Sequence, residues 1–287
     1  MLESGLLLGD RWVRESLGGT MEHVNPATGK PHKTFAIASV AEVDEAVAAA
    51  RAAFDEWRRW SPDARRDVLL RLASLLADHT EDIGAISALE SGNIYSDLVG
   101  NYVSEWFRYY AGWTDKLAAV FGGANPVAGP FFSFSTPEPT GVVAAIAPQQ
   151  DPLLGLVSVV APIITSGNSV VVIAAQHQPL AAVTLAEVLA TSDLPGGVVN
   201  LLTGDPAEIA PHLAAHGDVN ALDLTGTDGQ LRTDLERAAA GTVKRVHAPV
   251  AQDFTRNPGT ARLRAFLEIK TVWHPTGAVS LAGGTGY

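Results

Sequence analysis

The sequence predicts an α/β fold: a parallel sheet with helices on both faces, an N-terminal helical region, and a β-arm with a C-terminal strand set apart from the sheet. Three observations predict it. From Thr140 onward the apolar runs "GVVAAIAP", "SVVVIAA", "GVVNLLTG", "VNALDLTG" and "TVKRVHAP" alternate with helical stretches at 153–166, 180–191, 207–215 and 229–240. Strands that are apolar throughout and separated by helices are parallel strands buried on both sides, a Rossmann-type architecture. Residues 39–116 carry helical spacing, and "FFSFS" between Gly and Pro alternates Phe132 and Phe134 with Ser133 and Ser135.

Taken in chain order, "GDRWVRESLGGTMEHVNPATGKPHKTFAIAS" reads as short strands and turns wrapped on a domain surface. A first helix follows, with Ser39 as N-cap and Val43, Val47, Ala50 and Phe54 on one face. Ser61 caps a second helix and Pro62 takes its first position. Third and fourth helices are predicted over 82–91 and 96–116. The prolines around "FFSFS" suit an edge strand. After Val250, "AQDFTRNPGTARLRAF" reads as a polar connector, "LEIKTVWHP" as a terminal strand and "TGAVSLAGGTGY" as a flexible tail.

Composition narrows the function classes. With 287 residues, 47% of them hydrophobic, the chain can bury a full core. A net charge of −11 opposes a polyanion, so no nucleic-acid partner is expected. The longest apolar run, 153–165, is too short for a bilayer, and "MLESGLLLGD" lacks a basic region ahead of an apolar stretch. No membrane partner and a cytoplasmic location are the expectations. The sequence contains no cysteine, which removes disulfides, thiolate metal sites and cysteine nucleophiles together. The eight histidines read as scattered, with no helical pair beside a carboxylate, so no metal site is expected.

"NPATGK", "EVDEAVAAARAAFDEW", "FRYYAGWTDKL", "EPTGVVAAIAP", "VAPIITSGNSVVVIAAQHQPL", "LPGGVVNLLTG" and "KTVW" occur in the order and at the spacing of the aldehyde dehydrogenase superfamily, which the chain resembles over nearly its whole length. The resemblance implies a nucleotide-binding domain over 1–121 and 140–250, with a bridging and oligomerisation arm and tail over 122–139 and 259–287. The family's catalytic domain lies between the fifth parallel strand and the last strand, and here only the short stretch after Val250 occupies that interval. In this the chain resembles the cysteine-less second unit of the two-unit branch, which packs against an active copy.

Family chemistry needs a thiolate to attack the aldehyde before hydride passes to NAD(P). No residue here supplies it. The resemblance places Gln150 where the family has its oxyanion asparagine, a change worth on the order of 10² to 10³ in rate. It places Pro249 at the general-base glutamate, and proline accepts no proton. His247 nearby reads as a packed or edge residue of its strand. The family's Lys-Pro-Ser-Glu run becomes Ile173, Ala174, Ala175 and Gln176, and loss of the lysine weakens cofactor binding roughly ten- to hundred-fold. The remaining cofactor contacts are Pro148, Gln150, Gln176, Thr225, Gly226 and Gly229, enough for weak NAD(P) binding at most. No catalytic residue is assigned. The expected interface is Phe131, Phe132 and Phe134 of the arm with Leu267, Ile269, Thr271 and Trp273 of the last strand, through unpaired backbone edges. The resulting expectation is a pseudoenzyme that assembles with an active aldehyde dehydrogenase or with itself. The alternative is an NAD(P)-dependent oxidoreductase of aldehydes, active only within a complex.

Overall fold

A computed structural model describes residues 5–91, 97–249, 256 and 258–276. Four short strands open the chain: β1 (Leu6–Leu8), β2 (Arg11–Val13), β3 (Thr20–Asn25) and β4 (Lys30–Ala36). Helices α1 (Val40–Trp57), α2 (Pro62–Asp78), α3 (Thr80–Ser91) and α4 (Asp97–Ala111) follow, then a short α5 (Leu117–Phe121). The caps fall where the sequence placed them. Ser39 accepts from Ala41 N while Glu42 reaches back to Ser39 N at 2.9 Å, a reciprocal capping box. Ser61 accepts from Ala64 N at 3.2 Å, with Pro62 in the first turn. The fourth helix ends at Ala111, five residues short of the expected end, and Gly112 and Trp113 turn back onto Arg108 and Tyr110 carbonyls. Ser96 lies outside the described residues.

The arm contains β5 (Gly123–Asn125) and β6 (Phe131–Pro139). Five parallel strands come next: β7 (Val142–Ile146), β8 (Ser169–Ile173), β9 (Val199–Leu202), β10 (Ala221–Asp223) and β11 (Arg245–His247). They are linked by α6 (Pro152–Thr165), α7 (Pro179–Ala190), α8 (Pro206–Ala215) and α9 (Gly229–Ala240). A five-residue α10 (Ala261–Ala265) precedes β12 (Leu267–Pro275). The large sheet has the order β11-β10-β7-β8-β9-β1-β2, so the strand order reverses between β7 and β10. In such sheets that reversal opens a crevice at the carboxyl ends of the strands.

Alternate residues of each strand feed two cores. Val143, Ala145, Val170 and Val172 join α2, α4, α6 and α7, whereas Val142, Ala144, Ile146 and Val171 join α1, α8 and α9. α6 is buried along its whole length, and the Trp57 indole donates to Ile164 O at 2.9 Å, locking α1 to its end.

Two expectations change, and one strand is added. Ahead of the segment expected on the surface, β1 pairs antiparallel with β9 through Leu7 and Leu201, and Leu6, Leu7 and Leu8 are all buried. Leu7 points into one core and its neighbours into the other, which explains three consecutive leucines. The arm and the last strand do not keep unpaired edges against each other. β12 pairs antiparallel with β6 over nine residues, from Leu267↔Pro139 to Pro275↔Phe131, and β5 covers the other side of β6 at Ser133–Ser135. Pro137 and Pro139 fall beyond the reach of β5, where β6 becomes an edge. The stretch after Val250 is more than a polar connector, because it contains α10, whose Arg262 and Leu263 are buried, as is Phe266 behind it. Residues 250–255, 257 and the expected tail after Thr276 lie outside the described residues.

A buried carboxylate joins the helical region to the sheet. Glu90 of α3 accepts from Leu180 N and, at 3.0 Å, from Ala181 N, so it caps α7 from another element. Burial pushes its carboxyl up from the usual carboxylate range to about 7, against the pull of those two N–H groups. A carboxyl raised in the folded state stabilises fully below about pH 4.5, and that contribution is lost as pH rises through 7. Denaturant unfolding should therefore show the wild type losing roughly 3 kcal/mol relative to Glu90→Gln between pH 4.5 and 8. A constant difference would place the ionisation elsewhere.

Candidate functional site

The crevice at the strand-order reversal is formed by the turn after β7 and the turn after β10. Pro148 is buried and shapes the first turn, packing where a side chain on Gly155 would stand. Asp151 sits at φ +54° as N-cap of α6 without a side-chain capping bond. The side chain that organises this turn is Gln149. Its amide donates to Ala147 O at 3.0 Å and its carbonyl accepts from Gln176 N at 2.8 Å, tying the ends of β7 and β8 together. Sequence reasoning centred on Gln150, which lies exposed on the turn. The internal contact of Gln149 depends on a strand neighbour 27 residues away, which local pattern does not reveal.

Across the crevice, the turn after β10 closes directly onto β7. Gly226 N donates to Ile146 O at 2.9 Å, and a Cβ at Gly226 would stand 2.0 Å from Ala147 O. Glycine is required here by close approach. Gly229 differs, with φ +50° and open space around it. Thr225 donates to Asp223 and accepts from Arg262 Nη2 at 2.7 Å, so its hydroxyl is used internally.

Arg262 is the centre of this arrangement. It is 4% exposed, its Nε lies 2.8 Å from the fully buried Asp223 at the end of β10, and its Nη1 donates to Ser158 O of α6 at 2.6 Å. Asn168 holds the neighbouring backbone, donating to Phe266 O at 2.9 Å while accepting from Gly141 N at 2.8 Å. His247 stands edge-on to Phe266, ring centroids 6.0 Å apart. Burial lowers its pKa first; Asp223 opposes that shift and Arg262 adds to it. The histidine is partly buried, on the edge strand β11. Pro249 contributes only its carbonyl, which accepts from Arg232 Nη2 at 3.1 Å; the same group also reaches Leu224 O and Thr227 O.

The expected interface residues are split between the two faces of the three-stranded sheet. The register puts Phe132 opposite His274 and Phe134 opposite Val272, on one face. Phe131, Ile269, Thr271 and Trp273 lie on the other, where Phe131 meets Trp273 edge-on at 6.0 Å. Leu267 shares that face in register but is 3% exposed and belongs to the core, so it is withdrawn from the interface. Trp273, Ile269 and Phe132 are each more than half exposed. A further correction concerns histidine: His212 and His216 stand four apart at the end of α8 and both approach Asp44 of α1. The helical pair is visible in the sequence; its carboxylate partner, 168 residues from His212, is not.

A parallel sheet with this strand order and a glycine-bearing turn before α9 is the dinucleotide-binding class of α/β fold. The aldehyde dehydrogenase family model matches residues 12–250, and the chain belongs to that family. It is 35% identical to a mitochondrial aldehyde dehydrogenase of Leishmania tarentolae over 248 residues, covering 85% of this chain and 49% of that protein. It is 33% identical to the cytosolic 10-formyltetrahydrofolate dehydrogenase of Xenopus tropicalis, covering 84% of this chain and 27% of that protein. An aldehyde dehydrogenase from Bacillus cereus, solved as an NAD+ complex, superposes with a TM-score of 0.79 at 28% identity, over 85% of this chain and 50% of that one. The chain thus spans about half the length of these aldehyde dehydrogenases.

The crevice residues do not fit the dinucleotide that such a fold implies. The turns after β7, β8, β9 and β10 (147–152, 174–178, 203–208 and 224–229) carry Asp151, Asp205, Glu208 and Asp228 and no lysine or arginine. A pyrophosphate would meet acidic groups at the helix N-termini that ordinarily receive it. Thr225 is engaged by Asp223 and Arg262, and Ile173 ends β8 as a buried apolar residue.

The Asp223–Arg262 pair yields a direct test. Arg262→Met leaves a buried unpaired carboxylate and should lower stability by about 3–5 kcal/mol. Adding Asp223→Asn should recover a large part of that loss in denaturant unfolding. Additive losses would show that the two side chains act independently.

Proposed function

We propose that this chain is a catalytically inactive member of the aldehyde dehydrogenase family that serves as a structural or regulatory subunit, assembling with an active aldehyde dehydrogenase. The observation that carries the proposal is the absence of any cysteine; Thr225, a crevice hydroxyl that does meet a carboxylate, donates to an Asp223 already ion-paired with Arg262, which leaves that carboxylate a poor base. The exposed Gln150, the carbonyl role of Pro249 and the internal engagement of Thr225 support the same reading. So does the acidic rim, which disfavours NAD(P).

The assembly surface is the three-stranded sheet of order β12-β6-β5. Its outer edge is β12, which carries Ile269 at 51% and Trp273 at 58% exposure. An edge strand with exposed apolar side chains is suited to pairing with a strand of another subunit. No helix among the described residues is long and apolar enough to cross a membrane.

Co-expression with a full-length aldehyde dehydrogenase followed by native mass spectrometry tests this. A mixed assembly is expected, and Trp273→Ser with Ile269→Lys should shift the population at least tenfold toward separated subunits. A wild-type chain that never enters such an assembly contradicts the partnership. Aldehyde-dependent reduction of NAD(P) by the purified chain contradicts the inactivity.

A further inference from the structure

We propose that Asp44, His212 and His216 form a binding site for a divalent transition cation of the zinc class, a staple between α1 and α8 on the face of the sheet away from α6. The His212 and His216 rings are nearly perpendicular, with an interplanar angle of 82° and centroids 5.8 Å apart. Both direct Nε2 at the same oxygen, Asp44 Oδ1, at 2.6 Å for His212 and 3.4 Å for His216. All three donor atoms lie within 4.8 Å of one another.

Zinc bonds nitrogen at about 2.0–2.1 Å and carboxylate oxygen at about 2.0–2.2 Å, which makes the edge of a tetrahedral site roughly 3.3–3.5 Å. The Asp44–His216 separation is already of that length, and the Asp44–His212 contact has to open by roughly 0.7 Å. Asp44 reaches the site from α1, whose side chain is half exposed, so a rotamer adjustment supplies this opening. The exposure of Asp44 and the partial exposure of His212 leave a fourth coordination position open to water. Two imidazoles and one carboxylate select zinc, cobalt, nickel or copper over magnesium or calcium, which prefer oxygen donors.

One hydrogen bond opposes binding. Asp218 N donates to His216 Nδ1 at 3.1 Å, which places the imidazole proton on Nε2. Coordination through Nε2 moves that proton to Nδ1 and gives up the bond, weakening affinity several-fold. The site is therefore micromolar in character.

The site is separate from the crevice. α8 runs back from the carboxyl ends of the strands, so its last turn lies toward their amino ends. There Arg51 of α1 donates to Asp218 O at 2.6 Å and to Asn220 Oδ1 at 2.9 Å, the contacts a cation would reinforce. A cation held by α1 and α8 binds only the folded chain and raises its stability by mass action.

Calorimetric titration of Zn2+ into the chelator-treated full chain at pH 7.5, with Co2+ absorbance in parallel, tests the proposal. One equivalent should bind with Kd below about 10 µM, accompanied by a rise in Tm, and Mg2+ should give neither signal. His212→Gln with His216→Gln should weaken binding at least roughly 30-fold. Asp44→Asn, which conserves size, should weaken it about tenfold. His32→Gln, at the separate His23–His32 pair whose ring centroids are 5.4 Å apart, should leave it unchanged. Equal zinc binding by the wild type and the double histidine variant, or no binding by the wild type at 100 times the expected Kd, roughly 1 mM, would overturn the proposal.

Discussion

The ion pair between Asp223 and Arg262 is the constraint on which the rest of the crevice depends. A buried charge pair is tolerated only when its remaining hydrogen-bonding groups are satisfied. Arg262 reaches Ser158 O and the Thr225 hydroxyl in addition to the carboxylate, which offsets part of the cost of burying the charges. The pair fixes α10 against α6 and β10, and Phe266 follows it into the core, held through its carbonyl by Asn168. α10 thereby packs beside α6 and β11 ahead of β12. β12 follows directly after Phe266 and pairs with β6 along its whole length.

Backbone requirements and chemical requirements separate cleanly along this chain. Residues that shape turns are present and working: Pro148 beside Gly155, Gly226 against Ala147 O, and Gly141 packed on the Asn220 side chain. The positions that the family resemblance aligns with an oxyanion donor, a general base and a ribose contact carry an exposed glutamine, a proline and a buried isoleucine. Electrostatics follows the same division, since the rim of the crevice is acidic where a pyrophosphate would need donors and positive charge. Arg232, the cation in the first turn of α9, is committed to three backbone carbonyls.

What the sequence disclosed depended on how local the governing interaction is. The caps at Ser39 and Ser61, the five parallel strands and the helices between them rest on spacings of two to four residues, and they stand within a few residues of the expected bounds. β1 is three residues long, too short for periodicity, and is held by β9 through Leu7 and Leu201, far apart in sequence. The pairing of β6 with β12 joins segments more than a hundred residues apart, so alternation identified both strands but not their union. Arg262 reads as one of several polar residues in "TARLRAF" until folding brings Asp223 to it. The histidine pair on α8 was visible at its spacing of four and gained meaning only through Asp44.

The central claim is that the crevice, with its acidic rim and its Thr225 hydroxyl engaged internally, does not hold a dinucleotide. Calorimetric titration of the full chain with NAD+ and NADP+ up to about 1 mM addresses it most directly, since that concentration corresponds to a binding free energy near −4 kcal/mol. No saturable heat for either dinucleotide is the result the account predicts. Micromolar binding of either, lost on substitution of Thr225 or Gln176, would contradict it.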